Sequence, residues 1–326
     1  MNVHSMWDSY PDIKKDLKEI LTIIDQNINL RDKKANKAIK DLLSAGGKLL
    51  RPAYFMMIAK SYGDFNRDQL LHVAASIEVL HMASLIHDDI IDEASTRRGV
   101  ETISSQFGNK YALYVGDYLF CVCFKILAKH ASNLSDIEFN TNTVEQILVG
   151  ELEQLDSRYN IDITVKKYLR QISGKTAGLF GLSCLLGAQL SNASYAETRN
   201  AKKFGHFVGM AFQILDDILD YRGDVLTIRK PALEDMKQGV YSLPLILTLQ
   251  EDRDFLAPYL SKMEKMSAFD VNQILLKVIE HKGIIKAQKL ADKYTDKAIS
   301  RLNKLPESVA KDQLLDITKQ LLKRNH

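Results

Sequence analysis

The stretch LLHVAASIEVLHMASLIHDDIID, Leu70 to Asp92, decides the fold class. Apolar residues recur in it at helical spacing through Leu71, Ala74, Ala75, Ile77, Val79, Leu80, Met82, Ala83 and Leu85. It lies in a tract from Ala53 to Lys230 that contains no proline. Proline breaks helix interiors, so such a tract permits a series of long helices. No convincing run of alternating strands bounded by hairpin signals is found. Breaks fall near Gly46-Gly47, Gly63-Asp64, Gly99, Asn133–Asp136, Arg158–Ile163, Ser191–Ser194 and Arg222–Lys230. The pieces between them have helix length, and the reading is all-α. No linker rich in Pro, Ser or Gly divides the chain, so residues 1–326 are expected to form a single domain.

The helix ends in Asp88-Asp89-Ile90-Ile91-Asp92, and the pattern returns as Asp216-Asp217-Ile218-Leu219-Asp220. The two segments, HDDIID and LDDILD, resemble each other locally, without a wider repeat. One such run is ordinarily a solvated helix surface. Two runs in apolar context, facing one another across a cavity, would destabilise the fold unless cations intervene. They read as two walls of one metal site. Residues i and i+4 share a helix face, about 5–6 Å apart between Cβ atoms. Asp88 pairs with Asp92 in this way, and Asp216 with Asp220. Asp89 and Asp217 lie about 100° around the helix, where they support the pair or contact solvent. Such carboxylates suit Mg²⁺, which binds through one or two carboxylates plus substrate phosphates.

Composition narrows the classes. The 326 residues are 46% hydrophobic and 26% charged, as in an ordinary globular protein. A net charge of +3, from 44 basic and 41 acidic residues, gives no footing for nucleic acid. The mildly basic Lys319–His326 end reads as a solvated helix end. Cys121, Cys123 and Cys184 have no metal-ligand spacing and fit a reducing compartment. The N-terminus lacks the apolar run of a signal peptide. The longest uncharged stretch, Thr176–Ala196, has a short, glycine-rich apolar core and reads as a buried helix, not a transmembrane segment. A cytoplasmic protein is expected.

Cationic and polar groups accompany the carboxylates. Gly46-Gly47-Lys48-Leu49-Leu50-Arg51-Pro52 reads as a loop entering a helix with proline in its first turn. Lys48 and Arg51 can grip a phosphate there. Arg97-Arg98 follows the first aspartate run, with Gly99 marking a turn. Lys175-Thr176 is read as opening an apolar helix whose free N–H groups could meet an anion. His81 lies two helical turns before Asp88 and faces the same side. Metal-binding carboxylates and phosphate-binding cations inside an apolar helical body describe a site for a diphosphate with a greasy tail.

These motifs resemble the trans-isoprenyl diphosphate (polyprenyl) synthase family. GGKLLRP, HMASLIHDDIIDEASTRRG, GDYLF, GELEQL, KTAGLF, FQILDDILDY and KPALEDMKQGVYSLP match its landmarks in order, from Gly46 to Pro244. The chain looks similar to bacterial medium- and long-chain (hexa-, hepta- and octaprenyl) synthases. The resemblance implies the isoprenoid synthase fold, a bundle of long helices around a central cavity, and a homodimer. It implies that an allylic diphosphate binds through several Mg²⁺ ions to Asp88, Asp92 and Asp216, with Asp89, Asp217 and Asp220 supporting. Arg97, Lys175 and Lys230 would hold that diphosphate. Isopentenyl diphosphate would be held by Lys48, Arg51, His81 and Arg98. Thr176 and Gln213 would sit beside the allylic carbocation.

In this family a bulky residue just before the first aspartate run stops the growing tail. Here those positions are Ala83 and Ser84, both small, so the expected product is longer than farnesyl; a geranylgeranyl- or farnesyl-length product is the alternative. Three positions depart from the family pattern. Val240 follows Gly239 where a lysine is usual, Leu233 replaces a glycine, and Arg229 precedes Lys230. Lys237 is a candidate replacement for the missing lysine. Its loss resembles catalytic large subunits of two-component synthases, which need a small helper chain. Three other readings fit the residues less well. A metal phosphohydrolase suggested by His72, His81 and His87-Asp88 fails for lack of histidine near the second run. A non-catalytic subunit would have lost site residues that are intact here. Head-to-head condensation is disfavoured by the GGKLLRP loop and the arginine pair.

Overall fold

A computed structural model describes residues 3–130, 134–221 and 235–322. Within them the helices are α1 (Pro11–Asn27), α2 (Lys33–Ser44), α3 (Leu50–Tyr62), α4 (Arg67–Ile91), α5 (Ile103–Phe107), α6 (Asn109–His130), α7 (Leu134–Leu155), α8 (Val165–Ile172), α9 (Gly178–Gln189) and α10 (Tyr195–Leu219). They continue with α11 (Leu243–Leu249), α12 (Arg253–Leu260), α13 (Ala268–Glu280), α14 (Gly283–Leu302) and α15 (Val309–Leu322). The all-α class read from the sequence is the class observed. A hairpin of two-residue strands, β1 (Thr96–Arg97) and β2 (Val100–Glu101), is the addition. Strands this short carry no alternation to detect.

The chain divides into two compact units. The first comprises Met1–Thr141, Ser183–Ala201 and Leu305–Leu314; the second comprises Asn142–Leu182, Lys202–Lys304 and Leu315–His326. In the first unit α1 buries Ile13, Leu17, Ile20, Leu21 and Ile24, one stripe at three- and four-residue spacing. That stripe packs on α3 and α4. Asp16, buried on α1, is paired with Lys60 of α3 at 2.5 Å and Arg67 of α4 at 2.6 Å. α4 is apolar around most of its girth because it is buried there. α4 and α6 are, among the described residues, the two helices long and apolar enough to cross a bilayer; most of α4's apolar window is packed inside the protein. α6 lies along α4. Trp7, fully buried, donates its indole N–H to Lys48 O at 2.7 Å and tethers the loop before α3.

In the second unit α11 packs on α8, α12, α13 and α14. The uncharged stretch read as a buried helix is α9, whose Leu179, Phe180, Leu182, Cys184 and Leu185 are all buried. Lys175-Thr176 does not open that helix. Residues Ser173–Ala177 form a π-helical turn, and the chain stays helical from α8 through it into α9. Gly174 serves close packing. A Cβ there would come within 3.0 Å of Gln146 O and 3.2 Å of Gly150 Cα on α7. π-helical turns of this kind occur often at functional sites.

Candidate active site

Both aspartate runs sit at the carboxyl ends of long helices. Asp88 and Asp89 are in the last turn of α4, and Asp92 caps it. Asp216 and Asp217 are in the last turn of α10, and Asp220 follows its end. The carbonyl end of a helix carries partial negative charge, so the helix opposes these carboxylates as they oppose one another. Only a cation relieves both. Asp89 is not at the solvent: it is buried, and Arg97 Nε donates to its Oδ1 at 2.6 Å. Burial raises the Asp89 pKa against the pull of Arg97.

Arginines gather next to the first run. Arg98 and Gly99, with φ of 53° and 77°, make the hairpin turn between β1 and β2. Arg98 donates to Gly46 O at 2.7 Å, and a Cβ on Gly47 would lie 2.6 Å from its guanidinium. Gly47 is therefore the residue that lets GGKLLRP and Arg98 meet. Pro52 is the third residue of α3, in its first turn as read. Arg51 is pulled down to about 10 by burial, with Glu78 opposing and Arg98 adding to the fall. His81 is held well below the usual histidine range by burial and then by Arg51, Arg98 and Arg97. A neutral imidazole among three guanidiniums is chemistry suited to an anion. Glu78, buried near Arg51 and Arg98, escaped the sequence reading. Its signal was present: a carboxylate in an otherwise apolar helix, one turn before His81.

The second run is built differently. Asp217 is buried, and its Oδ2 accepts from the Tyr168 hydroxyl at 2.7 Å and from Leu243 N at 3.3 Å. It thereby caps α11, for which Ser242 supplies no side-chain cap. Its Oδ1 accepts from Gln213 Nε2 at 3.0 Å, and Gln213 Oε1 accepts from Thr176 Oγ1 at 2.7 Å. Burial pushes Asp217 up to about 6 despite those donors. Asp220 is pushed up to about 7 by burial, then by Asp235, Asp217 and Asp216. Lys175 Nζ donates to Glu151 at 3.0 Å and Gln154 at 3.2 Å, both within GELEQL. Tyr168, Glu151 and Gln154 were not assigned roles from sequence, because only the tertiary fold brings them to Asp217 and Lys175.

Lys230, Arg229 and Leu233 lie outside the described residues. Val240 donates its N–H to Asp235 O at 2.8 Å, and Lys237 O accepts from Tyr159 at 2.9 Å. Ala83 is fully buried, and the Ser84 hydroxyl donates to His81 O at 2.8 Å. The histidines of the phosphohydrolase reading go separate ways. His72 stacks on His130 at 3.8 Å, His87 faces Asp117 at 3.3 Å, and His81 stays with the arginines. Asp68, His72 and His130 come within 4.8 Å, but rings only 13° from parallel do not aim their lone pairs at one point. Each aspartate run by itself offers only carboxylate oxygen, with Asp220 raised by burial and then by its neighbouring carboxylates. Such a donor set fits a hard divalent cation such as Mg²⁺.

Residues 32–277 match the family described as polyprenyl synthetase. Heptaprenyl diphosphate synthase component 2 of Geobacillus stearothermophilus is 36% identical over 290 residues, 89% of this chain and 90% of that protein. The solved structure of geranylgeranyl pyrophosphate synthase from Lactobacillus brevis is similar with a TM-score of 0.95 at 39% identity, covering 98% of this chain and 99% of that one. Heptaprenyl diphosphate synthase from Staphylococcus aureus gives 0.89 at 29% identity, over 96% and 99%. On its motifs, its fold and these relatives, the chain belongs to the polyprenyl synthetase family.

Proposed function

We propose that this transferase condenses isopentenyl diphosphate with an allylic diphosphate, building an all-trans polyprenyl diphosphate longer than farnesyl. The observation that carries this reading is the pair of D-D-x-x-D runs at helix carboxyl ends, with the Arg51–His81–Arg98 group beside the first. Magnesium, held by Asp88, Asp92, Asp216 and Asp220, supplies charge neutralisation for the leaving diphosphate when bound. Arg97, Lys175 and Lys230 hold the allylic diphosphate by charge-assisted hydrogen bonds. Asp89 and Asp217 anchor the runs, Asp89 through Arg97 and Asp217 through Tyr168, Gln213 and Leu243. Thr176 and Gln213 turn their dipoles to the cationic allylic carbon. Lys48, Arg51, His81 and Arg98 orient isopentenyl diphosphate so that its double bond attacks that carbon. Loss of a proton to the released diphosphate completes a product five carbons longer.

Small residues at 83 and 84 support a long product. The relatives' names span both outcomes, heptaprenyl and geranylgeranyl. Assays with farnesyl diphosphate, labelled isopentenyl diphosphate and Mg²⁺ test the reading. Products that stop at farnesyl or geranylgeranyl length would sink the long-chain assignment. A bulky Ala83→Phe is expected to shorten the product, and unchanged length would remove Ala83 from the channel.

The enzyme works, in this reading, as one catalytic domain per chain and as a homodimer. Exposed Leu113, Tyr114 and Phe124 on α6 support a covered apolar face. Light scattering giving a monomer mass would overturn the dimer. A heterodimer with a small helper chain is the second reading, favoured by Val240 and by the "component 2" in a relative's name. Activity that appears only with an added helper subunit would select it. The three free cysteines support a cytoplasmic setting.

A further inference from the structure

Tyr168 has no part in the chemistry proposed above, yet it is 3% exposed and its hydroxyl is committed to Asp217. We propose that Tyr168 is a positioning residue: through Asp217 and Gln213 it fixes the direction in which the Thr176 hydroxyl points. This rests on the reading of Thr176 and Gln213 as the groups beside the reacting carbon.

Hydrogen-bond polarity decides the matter. An ionised carboxylate only accepts. Asp217 Oδ2 takes the Tyr168 O–H at 2.7 Å and the Leu243 N–H at 3.3 Å, and Oδ1 faces Gln213 Nε2 at 3.0 Å. Gln213 must therefore turn its NH₂ toward Asp217, which leaves Oε1 for Thr176. Thr176 Oγ1 donates its one proton to that oxygen at 2.7 Å. With the proton committed, the lone pairs of Thr176 point elsewhere. An oxygen offering lone pairs stabilises a cationic carbon; one offering its proton does not.

Asp217 by itself could pivot about its side chain. Two other helices hold it, Tyr168 from α8 and Leu243 from the first turn of α11. The phenol is the stronger anchor, since its bond is short and runs from O–H to a carboxylate. Tyr168 and Thr176 also share one rod, because α8 continues through the π-helical turn without a break. The hydrogen bonds through Asp217 and Gln213 on α10 thus close a ring, and no member turns without breaking it.

Tyr168→Phe keeps the buried ring and removes only the hydroxyl. Losing one hydrogen bond to a charged group predicts a fall in kcat of roughly tenfold. KM for both diphosphates and the Mg²⁺ requirement are expected to stay as in the wild type. Tyr168→Phe added to Thr176→Val is expected to cost nothing beyond Thr176→Val alone, since the phenol acts through that hydroxyl. Multiplying effects, an unchanged kcat, or a shifted Mg²⁺ requirement would each overturn the proposal. A crystal structure of Tyr168→Phe reads the same claim without turnover. Gln213 is expected to leave hydrogen-bonding distance of Thr176, and a Gln213 still in place would overturn it. Wild-type protein that condenses nothing would sink the functional reading, while that crystal structure would still decide the role of Tyr168.

Discussion

HDDIID and LDDILD are almost the same six residues, and the protein treats them differently. At the first run the middle aspartate, Asp89, is buried against a guanidinium, Arg97 at 2.6 Å. At the second, Asp217 is buried against neutral donors: a phenol, an amide and a backbone N–H. Asp220 there is pushed up to about 7 by burial and then by Asp235, Asp217 and Asp216. A shared pattern therefore fixes which oxygens share a helix face, but the surroundings decide how each run is held. The first is anchored by a cation of its own unit, the second by a polar network.

The largest expected effect breaks both runs alike. Asp88→Ala and Asp216→Ala are each expected to lower turnover by about a thousandfold or more while leaving far-UV circular dichroism unchanged. Near-wild-type turnover in either would remove that aspartate from the metal site. Next in size, Arg97→Gln should separate the runs by stability. It strands the buried Asp89 and is expected to cost about 3 kcal/mol in urea unfolding, more than Tyr168→Phe costs. Equal losses would erase the distinction between cation and neutral anchoring. Smaller still, Asp220→Asn relieves like-charge crowding. In metal-free protein it should raise stability on the order of 1 kcal/mol and weaken the further gain on adding Mg²⁺. A destabilised variant with the full Mg²⁺ response would contradict the crowding.

The smallest effect comes from a carboxylate at the opposite end of a helix. Asp270, in the first turn of α13, takes part in a capping box with Ser267 and pairs with Lys262 at 2.6 Å. Lys262 first, then Ser267, holds its pKa down at about 2. The unfolded value is near 4, so the unfolded chain binds the proton more readily. Stability from Asp270 is thus fully present above about pH 4 and is lost as pH falls toward about 2. Asp270→Asn should flatten that part of the acid limb, and an identical limb would argue against the pairing.

Much of this was legible in the sequence, for a physical reason. Helix periodicity is local, so α4 and the shared faces of Asp88 with Asp92 and Asp216 with Asp220 follow from spacing. Lys48, Arg51, His81, Arg97 and Arg98 were legible as cations near the first run, through motif resemblance. Tyr168 and Glu151 were not, because their partners come from other helices or distant turns. The packing role of Gly174 was not legible, since a glycine that opens a turn and one that lets α7 approach look the same in one chain.

The central claim is that this chain elongates allylic diphosphates beyond farnesyl. Its most direct test is the chain length of products made by the purified protein from farnesyl diphosphate, labelled isopentenyl diphosphate and Mg²⁺. The account predicts labelled polyprenyl diphosphates longer than geranylgeranyl, lost when Mg²⁺ is chelated. Folded protein that incorporates no isopentenyl unit under those conditions would contradict it.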